Sequence, residues 1–263
     1  MKNKKLLISI ISIVFAIVVI SLAVSVFTIK QVKVNYTVTQ NVIDTNEINE
    51  SANSFAGKNL LFLNTDKIVD KLEENPYVEV VSVKKKFPNV VEVSVKERKE
   101  IYTVEYEGKT YLTDVDGLVL AEKDATKVYG EHELISLSLK NVNVLEFQLG
   151  KVIKTDAQDF ISNAFEIARQ VNLTDSVKNM VVEKIFSGVD SLNASGYNSR
   201  ISFETYSGVT IVIYKAEIKG LEKAVKAFEL YDSQSSDYVK SFDNIVVLEV
   251  NGEIKAEWTS KNS

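Results

Sequence analysis

The side chains able to do chemistry are few in this sequence. Cysteine is absent, and histidine occurs once, as His132 between Glu131 and Glu133. Thiolate catalysis and cysteine-based metal sites are thereby excluded. A single histidine without further nitrogen or sulfur ligands makes no zinc site. Ser82 and Lys85 have the S-x-x-K spacing by which a helix sets an amine beside a nucleophilic hydroxyl. Here the pair falls in an alternating strand, where residues three apart point to opposite faces. Asp114-Val115-Asp116-Gly117 begins like a calcium loop, but its glycine comes fourth, and Leu118 and Val119 follow where oxygen ligands are needed. A tight turn between strands is the expectation. There is no glycine-rich phosphate loop and no G-x-S-x-G. The residues thus predict no catalytic, cofactor-binding or metal-binding set, and no cofactor.

Charge narrows the partners. Thirty-six acidic residues against 31 basic ones give a formal net charge of -5, which disfavours nucleic acid, since phosphate binding needs a basic face. The densest basic run is Lys84, Lys85 and Lys86. It reads as a solvated strand end that protects an edge, or as a contact for anionic lipid headgroups or an acidic partner.

The elements that position these residues begin with Leu6 to Ile29, an uncharged apolar run. At about 1.5 Å per residue it is long enough to cross the roughly 30 Å hydrocarbon core. Lys2, Lys4 and Lys5 precede it and predict a cytoplasmic N-terminal side. A cleaved signal peptide would have a shorter apolar region, so an uncleaved membrane anchor is expected. The resulting division is a cytoplasmic tail (1–5), a transmembrane helix (6–29) and an extracytoplasmic remainder large enough for two domains.

In that remainder Gln31 to Gln40 alternates as a half-buried strand. Asp44 with Glu47 resembles a capping box, opening a helix that carries Ile48, Ala52 and Phe55 and ends at Gly57. A second helix, about Thr65 to Glu74, stops before Pro76. Val78 to Lys86 and Val90 to Glu97 then form a hairpin around Phe87-Pro88-Asn89. Beyond Lys99 strands are expected at 101–106, 109–113, 117–121, 133–139, 180–186, 200–206, 209–214, 244–250 and 253–258. Two helices interrupt them: Thr155 to Val171, and Glu217 to Tyr231 with Ile218, Leu221, Ala224, Val225 and Phe228 on one side. Asn251-Gly252 is a favourable two-residue hairpin turn.

From Gly57 onward the chain resembles the FtsQ/DivIB family of bacterial cell division proteins. The resemblance is carried by Gly57-Lys58-Asn59, Asn75-Pro76-Tyr77-Val78, Val83-Lys84, Phe87-Pro88, Val93 to Val95 and Glu97-Arg98. Tyr111, Asp114 and Gly117 follow in a Y-x-x-D-x-x-G pattern. It implies an α+β protein with a single N-terminal transmembrane helix, a POTRA domain (βααββ) at 30–98, a second α+β domain with a mostly antiparallel sheet at 99–258, and a short tail at 259–263. It further implies a non-enzymatic divisome scaffold at the division septum. Its partners would be FtsL-like and FtsB/DivIC-like coiled-coil membrane proteins and the septal penicillin-binding protein complex. In this family the last strand pairs with the FtsB/DivIC partner, which places the partner-binding residues at Val250, Gly252, Ile254 and Trp258. Two alternatives remain open on the residues alone. One is a membrane-anchored peptidoglycan-modifying enzyme whose carboxylates converge in a cleft; the other is a POTRA-type transport module, which would precede a many-stranded barrel.

Overall fold

The computed structural model describes residues 2–37, 42–129, 133–171, 176–186, 197–233 and 244–260. The chain separates into two compact units, Met1–Arg98 and Lys99–Ser263.

In the first unit the apolar run forms helix α1 (Lys2–Val26). It contains an 18-residue stretch, Ser9–Val26, long and apolar enough to cross a membrane. Then follow β1 (Gln31–Thr37), α2 (Thr45–Asn53), α3 (Asp66–Leu72), β2 (Val78–Lys86) and β3 (Val90–Glu97). The sheet order is β1-β3-β2, with β1 parallel and β2 antiparallel to the central β3. This is the βααββ order expected from the alternating and helical stripes. Val91, Val93 and Val95 of β3 face Ile48 and Ala52 of α2 and Ile68 and Leu72 of α3 in one buried cluster. Asp44 caps α2, accepting from the Asn46 amide at 2.8 Å, a bond to the second helical residue rather than the third. The helix stops at Asn53, before Phe55 and Gly57, so Phe55 is buried from the following turn.

Two charged residues close this unit. Glu97 is buried, and its carboxylate accepts from the amides of Val42 and Ile43 at 2.5 and 3.1 Å. Arg98 reaches toward Glu73 and Glu79 at 3.9 and 3.7 Å. The Glu97-Arg98 pair is therefore a structural clasp that ties the strand exit to the α2 entry and the β2 edge.

The second unit is built on one nine-stranded sheet. Its strands are β4 (Tyr102–Tyr106), β5 (Lys109–Thr113), β6 (Val119–Glu122), β7 (Ile135–Lys140), β10 (Val177–Phe186), β11 (Tyr197–Thr205), β12 (Thr210–Tyr214), β13 (Asn244–Val250) and β14 (Glu253–Thr259). A small separate pair, β8 (Val144–Glu146) and β9 (Lys154–Thr155), precedes α4 (Gln158–Val171), and α5 (Gly220–Asp232) lies between β12 and β13. The order is β14-β13-β12-β11-β10-β7-β4-β5-β6. Pairing is antiparallel except between β12 and β13, β7 and β10, and β4 and β7, so the sheet is mostly antiparallel. Ile161, Ala164, Phe165 and Ala168 of α4 and Ala224, Ala227 and Phe228 of α5 cover one face, meeting Ile201, Phe203, Ile211, Ile213, Ile245 and Val247.

Both helices depart from the expected limits. Thr155 lies in β9, not in a helix, but its hydroxyl accepts from the Ala157 amide at 3.1 Å while Gln158 accepts from the Thr155 amide at 3.1 Å. This reciprocal pair fixes the turn that leads into α4 at Gln158. In α5 the expected stripe holds at Leu221, Ala224 and Phe228. Val225 is exposed, as is Ile218 just before the helix, and Lys223 is buried in their place. That burial is possible because the Lys223 ammonium donates to the carbonyls of Tyr214 and Lys215, each at 2.9 Å. Burial pulls its pKa below the usual lysine value.

Asp156 pins the β9–α4 turn to β10. It accepts from the Asn143 amide and side chain at 3.0 and 2.9 Å and pairs with Lys184 at 2.8 Å. The Lys184 hydrogen bond holds its carboxyl pKa below the ordinary 3.8. A depressed carboxyl pKa stabilises the fold above the unfolded pKa, and that contribution is lost as pH falls through the folded one. In urea titrations the midpoint of Asp156→Asn should therefore lie below wild type at pH 7. The gap should close once the pH has dropped well below 3.8.

Candidate functional site: the terminal strand of the sheet

β14 lies at one end of the nine-stranded sheet, and among the described residues no strand pairs with its outer side. The sequence builds this edge through Asn251-Gly252, whose φ values of 54° and 83° are both positive. Two adjacent residues with positive φ make a type I′ turn, whose twist matches that of the strands it joins. Gly252 thus provides the turn.

The turn fixes which backbone groups face outward. Val250 and Glu253 flank it and register with one another, so they are the pair joined across the turn. Bonded and non-bonded pairs alternate along an antiparallel ladder. Leu248 with Lys255 and Val246 with Glu257 are thus bonded pairs, whereas Glu249 with Ile254, Val247 with Ala256 and Ile245 with Trp258 are not. The N–H and C=O groups of Ile254, Ala256 and Trp258 consequently point away from β13, toward the outer side of the strand. The Lys226 ammonium of α5 donates to the Ile254 carbonyl at 2.6 Å, as an outward carbonyl allows. A shallow groove along the strand is lined by Lys226, Glu253, Ile254, Lys255, Ala256 and Glu257.

Side chains divide differently. Ile254, Ala256 and Trp258 are partly buried and pack against the core of their own unit. Val250 belongs to the other face, beside Leu248, and these two are 40% and 43% exposed. Glu253, Lys255 and Glu257 share that face by register and alternate in sign. The residues expected to bind a partner therefore do not form one patch. Ile254 and Trp258 hold the strand down and present backbone, and Val250 presents an apolar side chain opposite. Ala256 and Lys226 were not singled out by sequence reasoning. The two-residue turn carried the signal for Ala256, since it sets the phase of the ladder.

The other candidates are dispersed. Ser82 and Lys85 both lie in β2, as the alternation required. Lys84, Lys85 and Lys86 close that strand, with Lys86 3.4 Å from Glu92. His132 lies outside the described residues. Asp114 makes a turn: its Oδ1 accepts from the amides of Asp116 and Leu118 at 3.0 and 2.8 Å, so that oxygen serves the backbone. Among the described residues no group of three or more histidine or carboxylate side chains is placed to hold a metal.

An N-terminal helix long and apolar enough to cross a membrane, a βααββ unit and a mostly antiparallel α+β unit make up the architecture of a POTRA-type protein. Residues 27–98 match the POTRA domain of FtsQ type. Curated relatives include cell division proteins DivIB of Clostridium tetani (30% identical, covering 42% of this chain and 44% of the relative) and Clostridium acetobutylicum (26%, covering 48% and 49%). A third, from Clostridium botulinum, is 24% identical over 66% of each chain. The matches to the first two span about half the length of those relatives. Residues 27–98 are thus an FtsQ-type POTRA domain, and the chain is similar to DivIB cell division proteins.

Proposed function

We propose that this protein is a divisome scaffold. It is anchored by α1 with its N-terminus in the cytoplasm, and its extracytoplasmic units hold FtsL-like and FtsB/DivIC-like coiled-coil proteins at the septum. Through them it supports the septal penicillin-binding complex and wall synthesis. It acts by binding rather than by catalysis. The observation that supports this reading is that β14 ends the sheet, with no strand paired to its outer side among the described residues, so that an extended segment of a partner can add there as a further strand. Anchoring partners to one membrane plane adds effective concentration without new contacts.

The test is a pull-down with the full chain in detergent, wild type against substitutions across Glu253 to Trp258. Loss of the FtsB/DivIC-like partner from the variants is the expected result. Equal recovery with a folded bait would remove the edge-strand reading.

A further inference from the structure

The first unit carries exposed apolar side chains where its anchor ends. Leu60 and Leu63 are buried, but Leu61 and Phe62 between them turn outward, 44% and 84% exposed. At the hairpin tip Phe87 is 60% exposed. Both loops are fastened to the exit of α1. The Leu60 amide donates to the Phe27 carbonyl at 2.7 Å, and the Ile29 amide to the Lys58 carbonyl at 2.8 Å. The Asn59 side chain reaches the Val24 carbonyl, in the last turn of the helix, at 3.5 Å. The Lys30 amide donates to Asn89 at 2.9 Å, and the Phe27 and Phe87 rings meet edge to face at 6.0 Å.

These ties set a depth. From Leu6 to Val26 the helix rises roughly 30 Å, the thickness of the hydrocarbon core. Val26 thus stands at the boundary between acyl chains and headgroups, and loops bonded to residues 24–30 stand there too. Large apolar side chains at that level are stabilised by entering the boundary. Around them are the cations Lys30, Lys58, Lys84 and Lys86, all exposed, and the half-exposed Lys85. The acids of the same region are Glu92, which pairs with Lys86, and Asp66 at the start of α3.

We propose that the POTRA unit is seated on the bilayer. Leu61, Phe62 and Phe87 enter the outer headgroup boundary, and the lysines of the β2 end and the 58–62 loop bind anionic phospholipid headgroups. The proposal rests on α1 spanning the membrane, and it gives the basic run a lipid rather than a protein contact.

Because the chain has no cysteine, single sites can be labelled in the full chain reconstituted alone in nanodiscs. Phe62→Cys and Phe87→Cys would carry a fluorophore, with lipid-borne nitroxide as quencher. Val18→Cys in α1 checks the span. Glu74→Cys marks the turn that precedes β2, whose first residue, Val78, lies about 26 Å from Lys86 at the usual strand rise. The expected result is quenching at Phe62 and Phe87 at least about threefold above that at Glu74, stronger in phosphatidylglycerol than in phosphatidylcholine. Quenching at Val18 but none at Phe62 beyond that at Glu74 would overturn the proposal and leave the patch open for a protein. An unquenched Val18 would overturn the span, and this inference with it.

Discussion

Ala256→Pro is expected to abolish strand addition at β14, with partner affinity reduced at least tenfold and up to about a hundredfold, while the protein stays folded. The Ala256 amide faces the outer side of the strand, because Ala256 registers with Val247 in a non-bonded pair. Proline there removes no bond to β13, but it deletes one donor from the edge and sets a ring where the incoming strand must lie. A lost interchain hydrogen bond accounts for roughly 1 kcal/mol, and blocked pairing on both sides of the ring for the rest. Lys255→Pro, one residue earlier, is the informative contrast. Lys255 sits in a bonded pair with Leu248, so its proline breaks the hairpin itself and should lower thermal stability. Calorimetric titration of the partner peptide together with thermal melting separates the two. Unchanged binding by a folded Ala256→Pro protein would mean that the partner docks elsewhere.

Gly117→Ala should be the most damaging single-methyl change in the second unit. Gly117 has φ 76°, where a Cβ costs about 1–2 kcal/mol. The added carbon would overlap the ring of Phe165, a buried side chain of α4, and overpacking of this kind typically costs about 1–3 kcal/mol. Together roughly 2–5 kcal/mol would be lost, a large part of the stability of an ordinary domain. Combining it with Phe165→Leu, which vacates the ring edge, should recover the overlap part but not the backbone part. A double-mutant cycle from urea denaturation would show this as a coupling of about 1 kcal/mol or more. Simple additivity would show that Phe165 is not what excludes the methyl group.

These two residues show how much the sequence disclosed. The Y-x-x-D-x-x-G pattern was legible as a turn, because aspartate and glycine have local reasons to stand there. Asp114 satisfies the amides of Asp116 and Leu118, and Gly117 adopts a left-handed conformation. That the glycine also had to clear Phe165, 48 residues further along, was not, since the close approach depends on how α4 docks. The same division holds for α5. Its helical period was plain, but not the burial of Lys223 with Val225 exposed, since the Lys223 ammonium finds two carbonyls at the end of β12. A lysine directed inward has no local signature.

The edge divides along the same line. Local chemistry wrote the hairpin: Asn251-Gly252 favours positive φ, and alternation on either side marks two strands. The order β14-β13-β12-β11 came from tertiary pairing, and only that order leaves β14 outermost. What the sequence alone determined about this protein is its periodic structure, namely the apolar span, the βααββ unit and the turns, because these follow from interactions within a few residues. What the tertiary structure decided is which strand is last, which residues of α5 are buried, and which loops meet the end of α1. Each depends on contacts between distant segments, and the local pattern is compatible with more than one such arrangement.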